Sequence, residues 1–142
     1  ATRAALDEGI VAGGGVALLN AKAKLIKTNS LVCEGDETIG AEILLNAIEK
    51  PFTQILLNAG IDKYHSMLSN IENASEGTGY NIKTGEYVDM IEEGIIDPTK
   101  VTRTALENAV SVAGTMLITE CTIVDDPKDD KEVDPMSMMP GM

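Results

Sequence analysis

Aromatic residues are nearly missing from this chain: three tyrosines, one phenylalanine and no tryptophan stand among 142 residues. Its core must therefore rest on Ala, Ile, Leu, Val and Met, a mixture that favours packed helices. Positive charge is scarce too, with 11 Lys and Arg against 23 Asp and Glu for a formal charge of −12. Without a basic patch, such a chain repels phosphate backbones and anionic lipid surfaces, so neither nucleic acid nor membrane is expected among its partners. No apolar run approaches the roughly 20 residues of a membrane span, and no charged-then-apolar signal segment opens the chain. The two cysteines, Cys33 and Cys121, stand far apart in apolar or strand-like surroundings, which fits buried thiols of a reducing compartment better than a disulfide framework. With one histidine, His65, there is no metal-ligand spacing and no hydrolytic triad, and His65 itself reads as a surface helix residue.

What is present fits one globular domain, 44% hydrophobic with 13 glycines and 5 prolines. Thr2 to Glu8 are helix formers and Gly9 is a natural stop. Val16, Leu19, Ala23 and Ile26 recur at helical spacing behind Gly13-Gly14-Gly15. Asp36 can cap a helix whose Ile39, Ile43, Ala47 and Ile48 share a face until Pro51 breaks it. A short helix restarts at that proline and runs to Gly60, and a weaker one covers Tyr64 to Ile71. Tyr80 and Ile82, then Lys83-Thr84-Gly85 and Tyr87, predict a β-hairpin. Asp97-Pro98 predicts a helix cap, and Val101, Ala105, Leu106, Ala109, Val112, Ala113 and Met116 mark the stripe of a central core helix. Cys121 to Val124 predict a short terminal strand, and the acidic, then Met-rich residues behind them a flexible tail. The expected fold is mainly α: a helical bundle with a small β-hairpin and a short C-terminal strand.

The three glycines before Val16 admit two readings. Backbone N–H groups at a helix N-terminus can cradle an anion or the polar edge of a ligand, or the chain simply turns there. The spacing is neither a Walker loop nor a dinucleotide fingerprint. Asp97 is equally double, a cap or a ligand-facing carboxylate. Acidic pairs such as Glu92-Glu93 read as solvated faces, and the Met-rich end as a tail or a sticky surface for apolar partners.

The segments Ala1-Thr-Arg-Ala-Ala5, Glu8-Gly-Ile-Val-Ala-Gly-Gly-Gly-Val-Ala-Leu18, Gly79-Tyr-Asn-Ile-Lys-Thr-Gly-Glu-Tyr87, Gly94-Ile-Ile-Asp-Pro-Thr-Lys-Val-Thr-Arg103, Ser111-Val-Ala-Gly114 and Thr119-Glu-Cys121 follow in order along the chain. Together they resemble the carboxy-terminal part of a group I chaperonin, the GroEL family, from residue 1 to about 125. The resemblance implies that 1–8 end an intermediate-domain helix, that 9–125 form the C-terminal half of an equatorial ATP-binding domain, and that 126–142 are a tail. It implies an ATP-driven machine that encloses unfolded proteins, built as a double ring of like subunits under a co-chaperonin lid, in the bacterial cytoplasm or an organelle matrix such as the mitochondrial one. It places Gly14 against the ribose side of ATP or ADP, Asn81, Ile82 and Lys83 against adenine, and Asp97 on the ribose hydroxyls. Lys83 stands where many relatives carry a small residue, and the tail replaces the family's Gly-Gly-Met repeats. The family's phosphate-gripping Gly-Asp-Gly-Thr-Thr loop and its Mg2+ and water-positioning aspartates correspond to sequence upstream of Ala1, as expected of a fragment. A fragment of this kind is expected not to hydrolyse ATP by itself. The alternative is a structural module that binds no nucleotide and self-associates through exposed helical faces.

Overall fold

The computed structural model describes residues 1–124; the expected tail over 126–142 lies outside them. Residues 1–108 form one compact unit and a second begins at Ala109. In the first, α1 (Thr2–Glu8) stops at Gly9. The strand β1 (Ile10–Ala12) leads through the glycine turn into α2 (Val16–Lys27), followed by α3 (Asp36–Ala47), α4 (Lys50–Asn58) and α5 (Tyr64–Asn73). The hairpin strands β2 (Thr78–Asn81) and β3 (Glu86–Asp89) come next, then β4 (Ile96–Pro98) and α6 (Thr99–Leu117), which runs on into the second unit.

Local chemistry explains most of these boundaries. Pro51 sits in the first turn of α4, where its missing N–H costs nothing. Beyond α4 the Ile61 N–H reaches back to the Leu56 carbonyl at 2.9 Å, a Schellman closure around Gly60. Gly15 caps α2 at φ 81, and a Cβ there would lie 2.8 Å from the Phe52 backbone nitrogen, so only glycine lets α4 approach α2 this closely. The core follows from that approach: Val16 and Leu19 of α2 meet Phe52 and Leu56 of α4, Met67, Leu68 and Ile71 of α5, and Met90 beyond β3. Lys22 of α2 donates to Glu49, just before α4, and to Glu72 of α5 at 2.8 Å, tying three helices at one point. Desolvation lowers the Lys22 pKa, but its hydrogen bonds to the two carboxylates outweigh this and hold it above the ordinary lysine value.

Two antiparallel sheets of two strands complete the unit: β2 pairs with β3, and β1 with β4 in the register Ile10 to Pro98, Val11 to Asp97, Ala12 to Ile96. The second pairing overturns the helix-cap expectation for Asp97. Pro98 also belongs to β4 and α6 begins only at Thr99, because pairing with β1 takes Asp97 and Pro98 as extended backbone. Asp36 likewise lies inside the first turn of α3, behind an N-cap at Gly35.

Three further expectations fail. α6 forms over the expected span, but none of its residues is buried, so it is no core helix in this chain. An apolar stripe is a demand for a facing element, and the described residues supply none. Cys121 to Val124 form no strand, since β-branched residues without a hydrogen-bonding neighbour gain nothing from extension. Cys33 is half-buried and Cys121 exposed, so neither is the buried thiol expected, although both are free.

Candidate functional site

Gly14 lies between β1 and α2 at φ 65, with Met90 Cε 3.2 Å from where a Cβ would sit. Asn81 closes β2 and is buried, and its Oδ1 accepts the Lys83 N–H at 3.0 Å across the hairpin turn. That bond fixes the turn and takes up the Lys83 backbone donor, while the Lys83 side chain is exposed. Ile82 opens the turn and leaves an apolar surface, 40% exposed. Asp97 stands half-buried at the centre of β4. The contrast with Asp89 is informative: Asp89 Oδ1 accepts the Ile91 and Glu92 N–H groups at 2.9 and 3.1 Å, whereas the Asp97 carboxylate has no hydrogen-bond partner among the described residues.

A chain of backbone bonds joins the segments that carry these residues. The Gly13 N–H donates to the Ile95 carbonyl at 2.9 Å, Ile95 donates to the Met90 carbonyl at 2.8 Å, and Met90 donates to Gly77 at the hairpin base at 3.0 Å. Side chains reinforce it at Gly79, where a Cβ would come within 2.5 Å of Met90 Cγ and 2.7 Å of Val16 Cγ2, a gap that admits only glycine. The hairpin carries its own clamp, Tyr80 and Tyr87 edge to face at 5.4 Å, with the Tyr87 hydroxyl accepting from Asn70 of α5 at 3.0 Å. The glycine turn, the hairpin and β4 thus adjoin one another within the unit of residues 1–108. Together they present a half-buried carboxylate, a buried amide, an apolar residue and a backbone without side chains, groups suited to sugar hydroxyls and a planar base.

Sequence reasoning missed β1, β4, Met90 and Ile95, the parts that assemble the site. Strands this short carry no period, and the apolar pair Met90-Ile91 between Asp89 and Glu92 carries no signal of which side chain is buried; Gly94 before Ile95 is the single local hint of a turn back toward β1. His65 is exposed, stacked on Tyr64 at 4.2 Å between ring centroids, as expected. Two clefts lie elsewhere, one of about 540 Å³ beside Pro51, Gln54 and Tyr64, the other of about 230 Å³ beside Lys24, Lys27 and Glu76. Neither is lined by Gly14, Asn81, Ile82, Lys83 or Asp97. Among the described residues no His, Cys, Asp and Glu cluster fits a metal ion, and no helix is long and apolar enough to cross a membrane.

Comparison with known proteins agrees with this architecture. The chain is similar to the open-state monomer of a group II chaperonin from Methanococcoides burtonii, at 25% identity and a TM-score of 0.69. The match covers 78% of this chain and 28% of that one, so the chain spans less than a third of its solved relative. The mainly helical fold with small antiparallel sheets is that of a chaperonin equatorial domain. Residues 1–127 match the TCP-1/cpn60 chaperonin family, and to that family this chain belongs.

Proposed function

We propose that this chain is the C-terminal equatorial segment of an ATP-driven chaperonin subunit of the group I type, and that it supplies the adenine and ribose side of the nucleotide site. One observation carries the reading: the glycine turn, the hairpin and β4, distant in sequence, adjoin one another, with the Asp97 carboxylate left without a partner among the described residues. Gly14 lets a ribose come against bare backbone. Asn81, whose Oδ1 is taken up by the Lys83 N–H, would donate to the base from its amide nitrogen, and Ile82 would give the base an apolar surface. Asp97 accepts from paired hydroxyls. Lys83 contributes through its place in the turn, its side chain remaining in solvent.

ATP bound there would supply the free energy of phosphoryl transfer, which depends on positioning and charge stabilisation around the phosphates. This chain has no phosphate-gripping Gly-Asp-Gly-Thr-Thr loop, so Mg2+ and the phosphates are held by other parts of the subunit, and this segment binds without hydrolysing. In the whole subunit the site would drive a homo-oligomeric double ring that encloses unfolded proteins under a co-chaperonin lid.

The test is a nitrogen-15 NMR titration of the chain with ATP and Mg2+. Amide shifts are expected at Gly13 to Gly15, Ile82, Lys83 and Asp97, and should vanish in Asp97→Ala. Absence of shifts at millimolar ATP overturns the reading. A second reading, self-association without nucleotide, is favoured by the exposed apolar residues of α3 and α6. It predicts a mass by analytical ultracentrifugation that rises with concentration and ignores ATP.

A further inference from the structure

We infer that Met90 is a positioning residue: it sets the spacing between the glycine turn and the hairpin, and through them the width of the nucleotide site proposed above, on which its relevance to ligand binding rests. Met90 is 2% exposed and its side chain meets both walls. Its Cγ and Sδ fill the space over Gly79 and its Cε reaches Gly14, so the thioether spans from β2 to the turn before α2. Its backbone bonds the same two regions, the N–H holding Gly77 and the carbonyl holding Ile95, whose own carbonyl holds Gly13. Asp97 follows two residues after Ile95, in register with Val11, so displacement of Met90 is passed to it through β4. Val16 also reaches both walls, with Cγ2 over Gly79 and its N–H on the Gly13 carbonyl, while the side chain of Met90 itself touches both. An unbranched side chain with three rotatable bonds suits a gap this irregular.

The experiment compares Met90→Ala and Met90→Leu with Leu68→Ala, a core truncation on α5 that makes none of these contacts. Under conditions where all three are folded by circular dichroism, amide hydrogen exchange is read at Gly13 and Ile95. Met90→Ala should speed exchange at both by about tenfold more than Leu68→Ala does, and Met90→Leu, which nearly keeps the volume, should stay within about threefold of the parent. In a titration with AMP, the dissociation constant should rise about tenfold in Met90→Ala and stay unchanged in Leu68→Ala. Equal exchange in Met90→Ala and Leu68→Ala overturns the positioning role. If exchange separates the two variants but the parent chain gives no AMP shifts, the nucleotide reading falls and the spacing role of Met90 stands. Should Met90→Ala not fold, Met90→Val, which still loses the reach to Gly14, carries the same comparison.

Discussion

Helix α4 carries Phe52 and Leu56 four residues apart, and helix α3 carries Ile39 and Ile43 at the same spacing. The first pair is buried, at 3% and 1% exposure, while the second is open at 58% and 62%. Ile39 and Ile43 line up on α3 as Phe52 and Leu56 do on α4, although α4 gathers its apolar residues on one side far more sharply; the difference lies also in what each pair meets. α4 is drawn onto α2 because Gly15 lets the Phe52 backbone approach, and Lys22 pins the same junction through Glu49. No residue of α3 is buried, nor any of α6. Periodicity creates a face; a partner with the right small residue opposite turns it into a core.

The sharpest way to break the comparison is to truncate one residue on each side of it. Leu56→Ala should cost about 2–5 kcal/mol, whereas Ile43→Ala should stay within about 0.5 kcal/mol. Urea unfolding followed by circular dichroism measures both. A cost at Ile43 comparable to that at Leu56 would mean that the α3 face is covered in solution.

Glycine substitutions sharpen the same contrast through a change of sign. Gly79→Ala drives a methyl group into Met90 and Val16 and should destabilise by about 1–3 kcal/mol. Gly40 lies within α3 with nothing within 4 Å of its missing Cβ. Gly40→Ala should therefore stabilise by about 0.5–1 kcal/mol, since alanine loses less backbone freedom in a helix. Thermal unfolding of the two variants should move Tm in opposite directions.

The contrast also explains how much of the molecule could be read beforehand. The helices α1, α2, α4 and α5 and the hairpin were legible because their signals are local: a stop at Gly9, a proline at the start of α4, a turn at Gly85. The α6 stripe was legible and its burial was not, because a stripe does not say what lies against it. The pairing of β1 with β4 was invisible, since Ile10 and Pro98 come together from nearly opposite ends of the unit, and it displaced Asp97 from its expected cap. Of the site, Gly14, Asn81, Ile82, Lys83 and Asp97 came from a family resemblance. Met90, which joins their segments, left no pattern of its own.

The two ion clusters repeat the comparison in charge. Lys22 lies at 13% side-chain exposure between two helices, and Arg103 at 48% on the surface. Lys22→Met should cost about 1.5–3 kcal/mol, the usual range for hydrogen bonds to charged groups, and should respond weakly to salt. Because the folded pKa of Lys22 is raised, its contribution is complete below the unfolded value of 10.5 and is lost as pH rises through the folded pKa. The alkaline fall in stability of the parent should thus flatten in Lys22→Met.

The smallest effect belongs to the surface cluster, where Arg103 donates to Glu8 at 2.6 Å and Lys100 to Asp7 at 2.8 Å, joining α1 to the start of α6. The Arg103 hydrogen bond holds the Glu8 carboxyl below its ordinary value of 4.5, against a smaller upward push from desolvation. A depressed pKa gives stability that is present above 4.5 and lost as pH falls through the folded value, the reverse of Lys22. Glu8→Gln should therefore lose a contribution at neutral pH that is small because the pair is exposed, and reduce the slope of stability against pH below 4.5. Because both partners are exposed, 1 M salt should do the same to the parent chain, the screening length there being about 3 Å. Denaturant midpoints at low and high salt, measured on Glu8→Gln and Lys22→Met side by side, separate the two clusters. If salt weakens the Lys22 contribution as much as that of Glu8, the junction of α2, α4 and α5 is open to water, and the contrast between a sealed core and uncovered helices loses its electrostatic half.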